Sequence, residues 1–229
     1  SPTSVHHPAV LANRTATLDH VSHGRMVLGL GAGWQINEHT AYGIALEAPK
    51  QRVDRFEEAI QIIRLLLDED HTTFDGAIYS ISNAPSDPSP VQDHLPILVG
   101  TSGPRMCRIT ALHAQEWNTW GAPEMAAGAV TTFNTACEKV GVDPASKHTS
   151  VQALFILTED QATIDKALAG PMGPRTVAGS VERIMDAVGE YAELGFDEVI
   201  VPDFALGTST EQRFDAYERI AAEVVPNCS

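Results

Sequence analysis

The chain has 229 residues, 43% hydrophobic and 20% charged, and carries a formal net charge of −15. Such a make-up suits a globular chain of one large or two small domains with a substantial core, and its charge disfavours nucleic acid and anionic membrane surfaces, because a phosphate backbone needs a basic face. No stretch approaches the roughly 20 unbroken apolar residues of a membrane helix, so no membrane partner is expected.

Cys107, Cys137 and Cys228 are far apart and odd in number, giving neither a disulfide framework nor a zinc spacing, which fits a reducing cytoplasm. The opening SPTSVHHP lacks a charged segment followed by an apolar run, so it reads as a chain entered midway rather than a signal peptide.

In chain order, Pro8 stands at a first helical position, and Leu11, Leu18 and Val21 mark one face of a helix from about Pro8 to Val21. His6, His7, His20 and His23 have no carboxylate or cysteine at ligand spacing, so they read as solvated or capping residues and no metal site is expected. Gly24 ends the helix. The strand Met26 to Leu30 then runs into Gly29, Gly31 and Gly33, followed by Trp34. Glycines at a strand end let backbone approach a ligand or form a tight corner, and spacing alone leaves both readings open.

Arg52 to Leu67 predicts an amphipathic helix through Val53, Phe56, Ile60, Ile63 and Leu67. Residues 72 to 82 read as a small hairpin around Asp75-Gly76. A proline-rich stretch returns the chain to Ile97-Leu98-Val99, an apolar run typical of a buried parallel strand. Gly100-Thr101-Ser102-Gly103 follows and opens a helix at Pro104, with Met106, Ile109 and Leu112 as its stripe.

Further on, the sequence predicts a strand at Trp117 to Trp120, a helix at Pro123 to Val140 and a strand at Val151 to Leu157. A looser linker containing GPMGPR precedes a helix capped by Ser180 and ended by Gly195, a strand at Val199 to Val201, and a terminal helix from about Glu211 to Val225. Strand alternating with helix means a parallel sheet wrapped by helices. Five such strands are readable, against eight in a closed (β/α)8 barrel of about 250 residues.

Ligands of parallel α/β folds bind at the carboxyl ends of the strands. Gly31 to Trp34, Gly100 to Gly103, Asn118 to Trp120 and Pro202 to Phe204 all fall there. GLGAGW is not a dinucleotide fingerprint, because its third glycine would fall on Trp34 and no acidic strand end follows about 20 residues on. The Gly100–Gly103 turn suits an anion best: free backbone donors coincide with the positive end of a helix dipole. Arg105 and Arg108 add positive charge nearby, although ordinary solvated positions explain them better.

HHPAVLANRTATLDHVSHGRMVLGLGAGWQINEHTAYGI, then RVDRFEEAIQIIRLLL, TTFDGAIYSI, PSPVQDHLPILVGTSGPR, ALHAQEWNTWG and GSVERIMDAVGEYAELGFDEVIVPDFALG, together resemble the luciferase-like monooxygenase superfamily, in its deazaflavin (coenzyme F420)-dependent oxidoreductase branch. The resemblance implies a TIM (β/α)8 barrel, homodimeric and cytoplasmic, that binds F420, or alternatively FMN, and passes a hydride to or from a small organic substrate. It implies cofactor phosphate on Gly100, Thr101, Ser102 and Gly103, Gly33 beside the ring, and Trp34, Asn118 and Trp120 as substrate-pocket walls.

Two departures from the family stand out. Its first three strands, with their Asp-His pair, have no counterpart before Ser1, roughly 75 residues at about 30 per unit, so the barrel reads as N-terminally incomplete, with about five of eight strands. Trp34 occupies the place where the family's sugar-phosphate dehydrogenases carry an acidic glutamate, so no catalytic acid or base is assigned. Glu38 and His39 read as structural, Glu38 as an acceptor of backbone hydrogen bonds. Alternatives remain in an FMN-dependent, oxygen-using monooxygenase and in a catalytically inactive fragment or non-enzymatic binding or subunit protein of the same fold.

Overall fold

The computed structural model describes residues 1–228. Helix α1 (Pro8–Ser22) starts on Pro8, with the His7 ring accepting from the Ala9 amide, and stops where His23 turns left-handed at φ 56°. Its buried face is Pro8, Leu11, Ala12, Thr15, Ala16 and Asp19, whereas Leu18 and Val21 are exposed. Small side chains, invisible to a search for large apolar ones, set the contact with the next long helix.

Strand β1 (Leu28–Leu30) is shorter than expected. A short helix α2 (Ile36–Ala41) precedes α3 (Pro49–Asp68), which buries Phe56, Ile60, Ile63 and Leu67 as the pattern required. The hairpin forms from β2 (His71–Asp75) and β3 (Ser80–Pro85). Its tip is held by one side chain of α3: the Glu58 carboxylate accepts from the amides of Ala77, Ile78 and Tyr79 at 2.9, 2.9 and 3.0 Å. Glu58→Ala strips those donors of their acceptor. Exchange of the three amides should rise by about 10-fold or more, with core amides of α3 unchanged, in a hydrogen-exchange measurement.

Beyond the hairpin come β4 (Ile97–Gly100), α4 (Pro104–His113), β5 (Glu116–Trp120) and α5 (Pro123–Val140), the last closed by Gly141 at φ 72°. In α4, Ile109 is buried, but Leu112 is 44% exposed, because the helix turns Cys107, Thr110 and Ala111 inward instead. The predicted strand over 151 to 157 divides at Ala153 into β6 (His148–Gln152) and β7 (Leu154–Leu157).

The stretch read as a linker holds helix α6 (Gln161–Ala169) and strand β8 (Thr176–Gly179), which pairs with β7. Helix α6 buries no residue, so no apolar stripe betrays it. Helix α7 (Val181–Glu193) is capped by Ser180, and β9 (Glu198–Ile200) follows. The terminal helix α8 (Thr210–Arg219) widens into a π-helical turn over Ile220–Val224; Ile220 and Val224 are buried, whereas Phe214 and Tyr217 are exposed.

Five strands form one parallel sheet in the order β1-β4-β5-β6-β9, as counted from the sequence. The barrel is not closed among the described residues: β1 and β9 end the sheet and do not pair with each other. The helix-facing side holds two cores. One surrounds Phe56, Leu28 and Ile97, and the other surrounds Trp117, Phe133 and Val151. Alternation along each strand then turns Gly29, Leu98, Gly100, Asn118 and Ser150 to the opposite, concave face.

Candidate functional site

At the carboxyl end of β1, the glycine turn closes on a cleft lined by Gly29, Gly31, Gly33, Trp34, Leu98 and Gly100, about 430 Å³ in volume. A Cβ at Gly29 or Gly31 would meet no atom within 4 Å, so these two glycines leave open floor rather than fit a tight contact. Gly33 differs. Its φ is 85° and a Cβ there would stand 2.8 Å from the Ser4 hydroxyl, so both backbone and space demand glycine. The tight corner and the open site are both present, at different glycines of one stretch.

Three side chains fix that corner. The Arg52 guanidinium, on the first turn of α3, donates to the Gly33 carbonyl at 2.6 Å. Buried His39 hydrogen-bonds the Ser4 hydroxyl through Nε2 at 2.8 Å and the Gln35 carbonyl, an acceptor only, through Nδ1 at 2.7 Å. Nδ1 therefore donates. His39 is structural, as expected. Glu38 is not: its carboxylate is exposed at the cleft and takes no hydrogen bond among the described residues, because Arg52 and His39 already hold the loop. Trp34 is 75% exposed along the same rim.

The second turn adjoins the first through Gly100. The Thr101 amide donates to the Asn118 carbonyl at 2.9 Å, and the Trp117 indole donates to the Thr101 carbonyl at 2.8 Å, so the turn is anchored from β5. Beyond it, α4 starts with Gly103 as N-cap and no side-chain cap. Pro104 has no N–H and the Gly103 amide donates to the Thr101 hydroxyl at 3.3 Å, whereas the amides of Ser102, Arg105 and Met106 have no acceptor among the described residues, because first-turn amides lack intrahelical partners and no side chain caps them. Uncapped donors at the positive end of a ten-residue helix are of the kind that can seat an anion.

Arg105 and Arg108 contribute nothing to that seat. Arg105 pairs with Asp54 at 2.5 Å and Glu57 at 2.6 Å, and Arg108 pairs with Glu57, on the outer surface of α3. Their charge is spent on cross-helix pairs, consistent with ordinary helix positions.

Asn118 is buried on the concave face, donating to the Ser150 hydroxyl at 2.8 Å, with its Oδ1 directed toward Gly100. Trp120 does not line the cleft. It stacks with Phe204 at 6.3 Å, and the Arg175 guanidinium lies 5.5 Å from its ring centre. The structure thus joins Gly33, Trp34 and Gly100 in one cleft, sets Thr101, Ser102, Gly103 and Asn118 beside it, and places Trp120 in a neighbouring aromatic cluster.

Arg52, Ser4 and Arg175 were not singled out in the sequence, since each acts on a partner far along the chain and no local spacing marks it. The Cys107 thiol, pushed up to about 11 by burial, is not a nucleophile at neutral pH.

A parallel sheet wrapped by helices, with its cleft and glycine turns at the carboxyl ends of the strands, defines a parallel α/β protein, an arrangement common to barrels and open sheets. The profile of the luciferase-like monooxygenase family matches residues 1–176, and the chain belongs to that family. It is 31% identical over 221 residues to an uncharacterised protein of Mycobacterium tuberculosis (strain ATCC 25618 / H37Rv), covering 96% of this chain and 66% of that protein. It is 27% identical over 260 residues to an F420-dependent glucose-6-phosphate dehydrogenase of Beutenbergia cavernae, covering 99% of this chain and 75% of the relative. Among solved structures, the coenzyme F420 dependent tetrahydromethanopterin reductase from Methanopyrus kandleri superposes with a TM-score of 0.82 at 16% identity, covering 100% of this chain and 82% of that one. No helix among the described residues is long and apolar enough to cross a membrane.

Proposed function

We propose that the chain is the cofactor-binding part of an oxidoreductase that holds coenzyme F420, or FMN, by its phosphate and serves hydride transfer between the ring and a small organic substrate. The observation that carries this reading is the conjunction of a bare glycine floor at Gly29 and Gly31 with the uncapped start of α4 beside it. A flat ring needs backbone with no Cβ beneath it, and a phosphate needs unspent N–H donors, so the residues present fit both parts of such a cofactor. The relatives described as F420-dependent support the deazaflavin, and the family's monooxygenase members support the flavin.

The turn Gly100, Thr101, Ser102 and Gly103 would hold the phosphate chiefly through the free Ser102, Arg105 and Met106 amides, since the Thr101 and Gly103 amides are taken by the Asn118 carbonyl and the Thr101 hydroxyl, with Gly33 beside the ring. The ring, when bound, supplies the hydride chemistry. The chain's own residues orient it and shield it: Arg52 and His39 keep the Gly33 corner rigid, and Trp34 and Asn118 wall the substrate side. A homodimer and a cytoplasmic setting belong to the same proposal.

Fluorescence titration of the purified chain with F420 and, separately, with FMN tests it. Saturable binding of one supports the reading, and binding of neither refutes it. Oxygen uptake by the reduced complex separates a monooxygenase from a dehydrogenase, because a deazaflavin reacts poorly with oxygen.

The outer edge of β9, unpaired among the described residues, and a β1 edge met only by Ser1 to Thr3 favour a second reading, a non-catalytic binding or subunit protein of this fold, which predicts no turnover even when cofactor is retained. Trp34→Ala should leave unfolding free energy within about 0.5 kcal/mol, since the ring is exposed. It should raise KM about 10-fold through the lost apolar wall, with cofactor affinity nearly unchanged; steady-state kinetics and a thermal melt check both.

A further inference from the structure

Three positions on the concave face stand in one row across the sheet: Gly100 on β4, Asn118 on β5 and Ser150 on β6, paired by register. Ser150 is fully buried and Asn118 is only 7% exposed. The hydrogen bonds fix which way the Asn118 carboxamide points. Its Nδ2 donates to the Ser150 hydroxyl at 2.8 Å and to the Ser150 carbonyl, an acceptor only, at 3.3 Å. The reverse orientation would set two acceptor oxygens against each other, so the nitrogen faces Ser150 and Oδ1 faces Gly100.

No donor among the described residues reaches Oδ1. A carboxamide oxygen on a side chain more than nine-tenths buried, its own nitrogen already spent, needs a donor from elsewhere. Gly100 keeps that oxygen reachable. A Cβ at Gly100 would stand 3.7 Å from Oδ1, an ordinary contact, and the Gly100 backbone is not left-handed, so neither strain nor clash demands glycine there. A side chain would instead take up the space beside the oxygen, in the cleft that Gly100 lines.

We propose that Asn118 Oδ1 accepts a hydrogen bond from the polyol of the cofactor, the hydroxyl-bearing chain that joins ring to phosphate. The inference rests on the cofactor reading above and deepens it. Gly100 begins the turn assigned to the phosphate, so the ligand atoms that come nearest Oδ1 are those next to the phosphate, and in F420 and FMN alike these belong to the polyol rather than the ring. A hydroxyl supplies the donor that the oxygen lacks. Asn118 then does more than wall the substrate side. Ser150 becomes a positioning residue, which holds the nitrogen so that the oxygen stays turned toward the ligand.

The test compares whichever of F420 and FMN the chain retains with its synthetic counterpart whose linking chain lacks the hydroxyls, each titrated calorimetrically into the whole chain. The parent should prefer the natural cofactor by about 10-fold, the worth of one well-made hydrogen bond. Asn118→Leu, similar in size, should reduce that preference to about 2-fold or less, and so should Gly100→Ala, which the backbone accepts and which fills the space beside the oxygen. The ratio is the readout, because mere structural damage at β5 weakens both ligands alike. No preference in the parent, or an unchanged preference in either folded variant, overturns the proposal while the cofactor reading stands. Binding of neither cofactor by the parent refutes that reading and this one with it.

Discussion

Exchanging Ser102 for aspartate should weaken binding of a phosphate-bearing cofactor by about 30-fold or more, while the unfolding temperature holds or rises. The two effects have opposite signs for one reason. Ser102 is exposed, its side chain makes no hydrogen bond among the described residues, and it sits one residue before the N-cap of α4. A carboxylate there meets the positive end of the helix dipole and stabilises the free protein by about 0.3–1 kcal/mol. The same carboxylate occupies the anion seat and repels a phosphate by a few kcal/mol at close approach. Titration calorimetry and a thermal melt on one sample measure both. A loss of affinity accompanied by a loss of stability would point to damage rather than repulsion.

Asp19→Ala should lower the unfolding free energy by about 3 kcal/mol. Asp19 is fully buried at the end of α1, where its carboxylate accepts from the amides of Val91 at 2.8 Å and Gln92 at 3.0 Å and from the Gln92 side chain at 2.7 Å. The Met26 amide lies at 3.4 Å. One side chain therefore ties α1, the entry to β1 and the proline-rich return together, and its removal orphans several donors at once.

Burial alone pushes this carboxyl up, but the hydrogen bonds from Gln92, Met26 and Val91 together outweigh it, so its pKa lies below the ordinary 3.8. With the folded value depressed, the stabilisation is fully present above the unfolded value and is lost as pH falls through the folded one. The alanine variant should accordingly lose part of the acid limb of the stability profile. Chemical denaturation across pH 2 to 7, about the carboxylate range, checks the sign.

The main elements were legible because long amphipathic helices and continuous apolar strands carry strong periodic signals: α3, α5 and the five strands of the sheet were all readable, although β1 starts at Leu28 rather than Met26 and β6 covers His148–Gln152 rather than 151 to 157. The misreadings share a cause. Leu18, Val21 and Leu112 look like core residues by size, yet α1 and α4 pack through alanine, threonine and a buried aspartate or cysteine, which lets the helices approach closely. Strand β8 is four residues long and helix α6 buries nothing, so neither had a pattern to read.

Of the candidate site, the two glycine turns were visible as local motifs at strand ends. The devices that shape them were not. Arg52 reaches Gly33 across 19 residues and Ser4 reaches His39 across 35, pairings that only the folded chain reveals. The glycine stretch itself divides by physics: Gly33 is fixed by its left-handed backbone and its contact with Ser4, whereas Gly29 and Gly31 face empty space.

A phosphate of a flavin-type cofactor seated at the start of α4 would be read most directly by following backbone amide resonances while F420, and in a parallel sample FMN, is added to the chain. The amides of Ser102, Arg105 and Met106 should move most, with Gly33 next and the β2–β3 hairpin still. Saturable binding whose largest shifts fall elsewhere, or no shift with either cofactor, would contradict it.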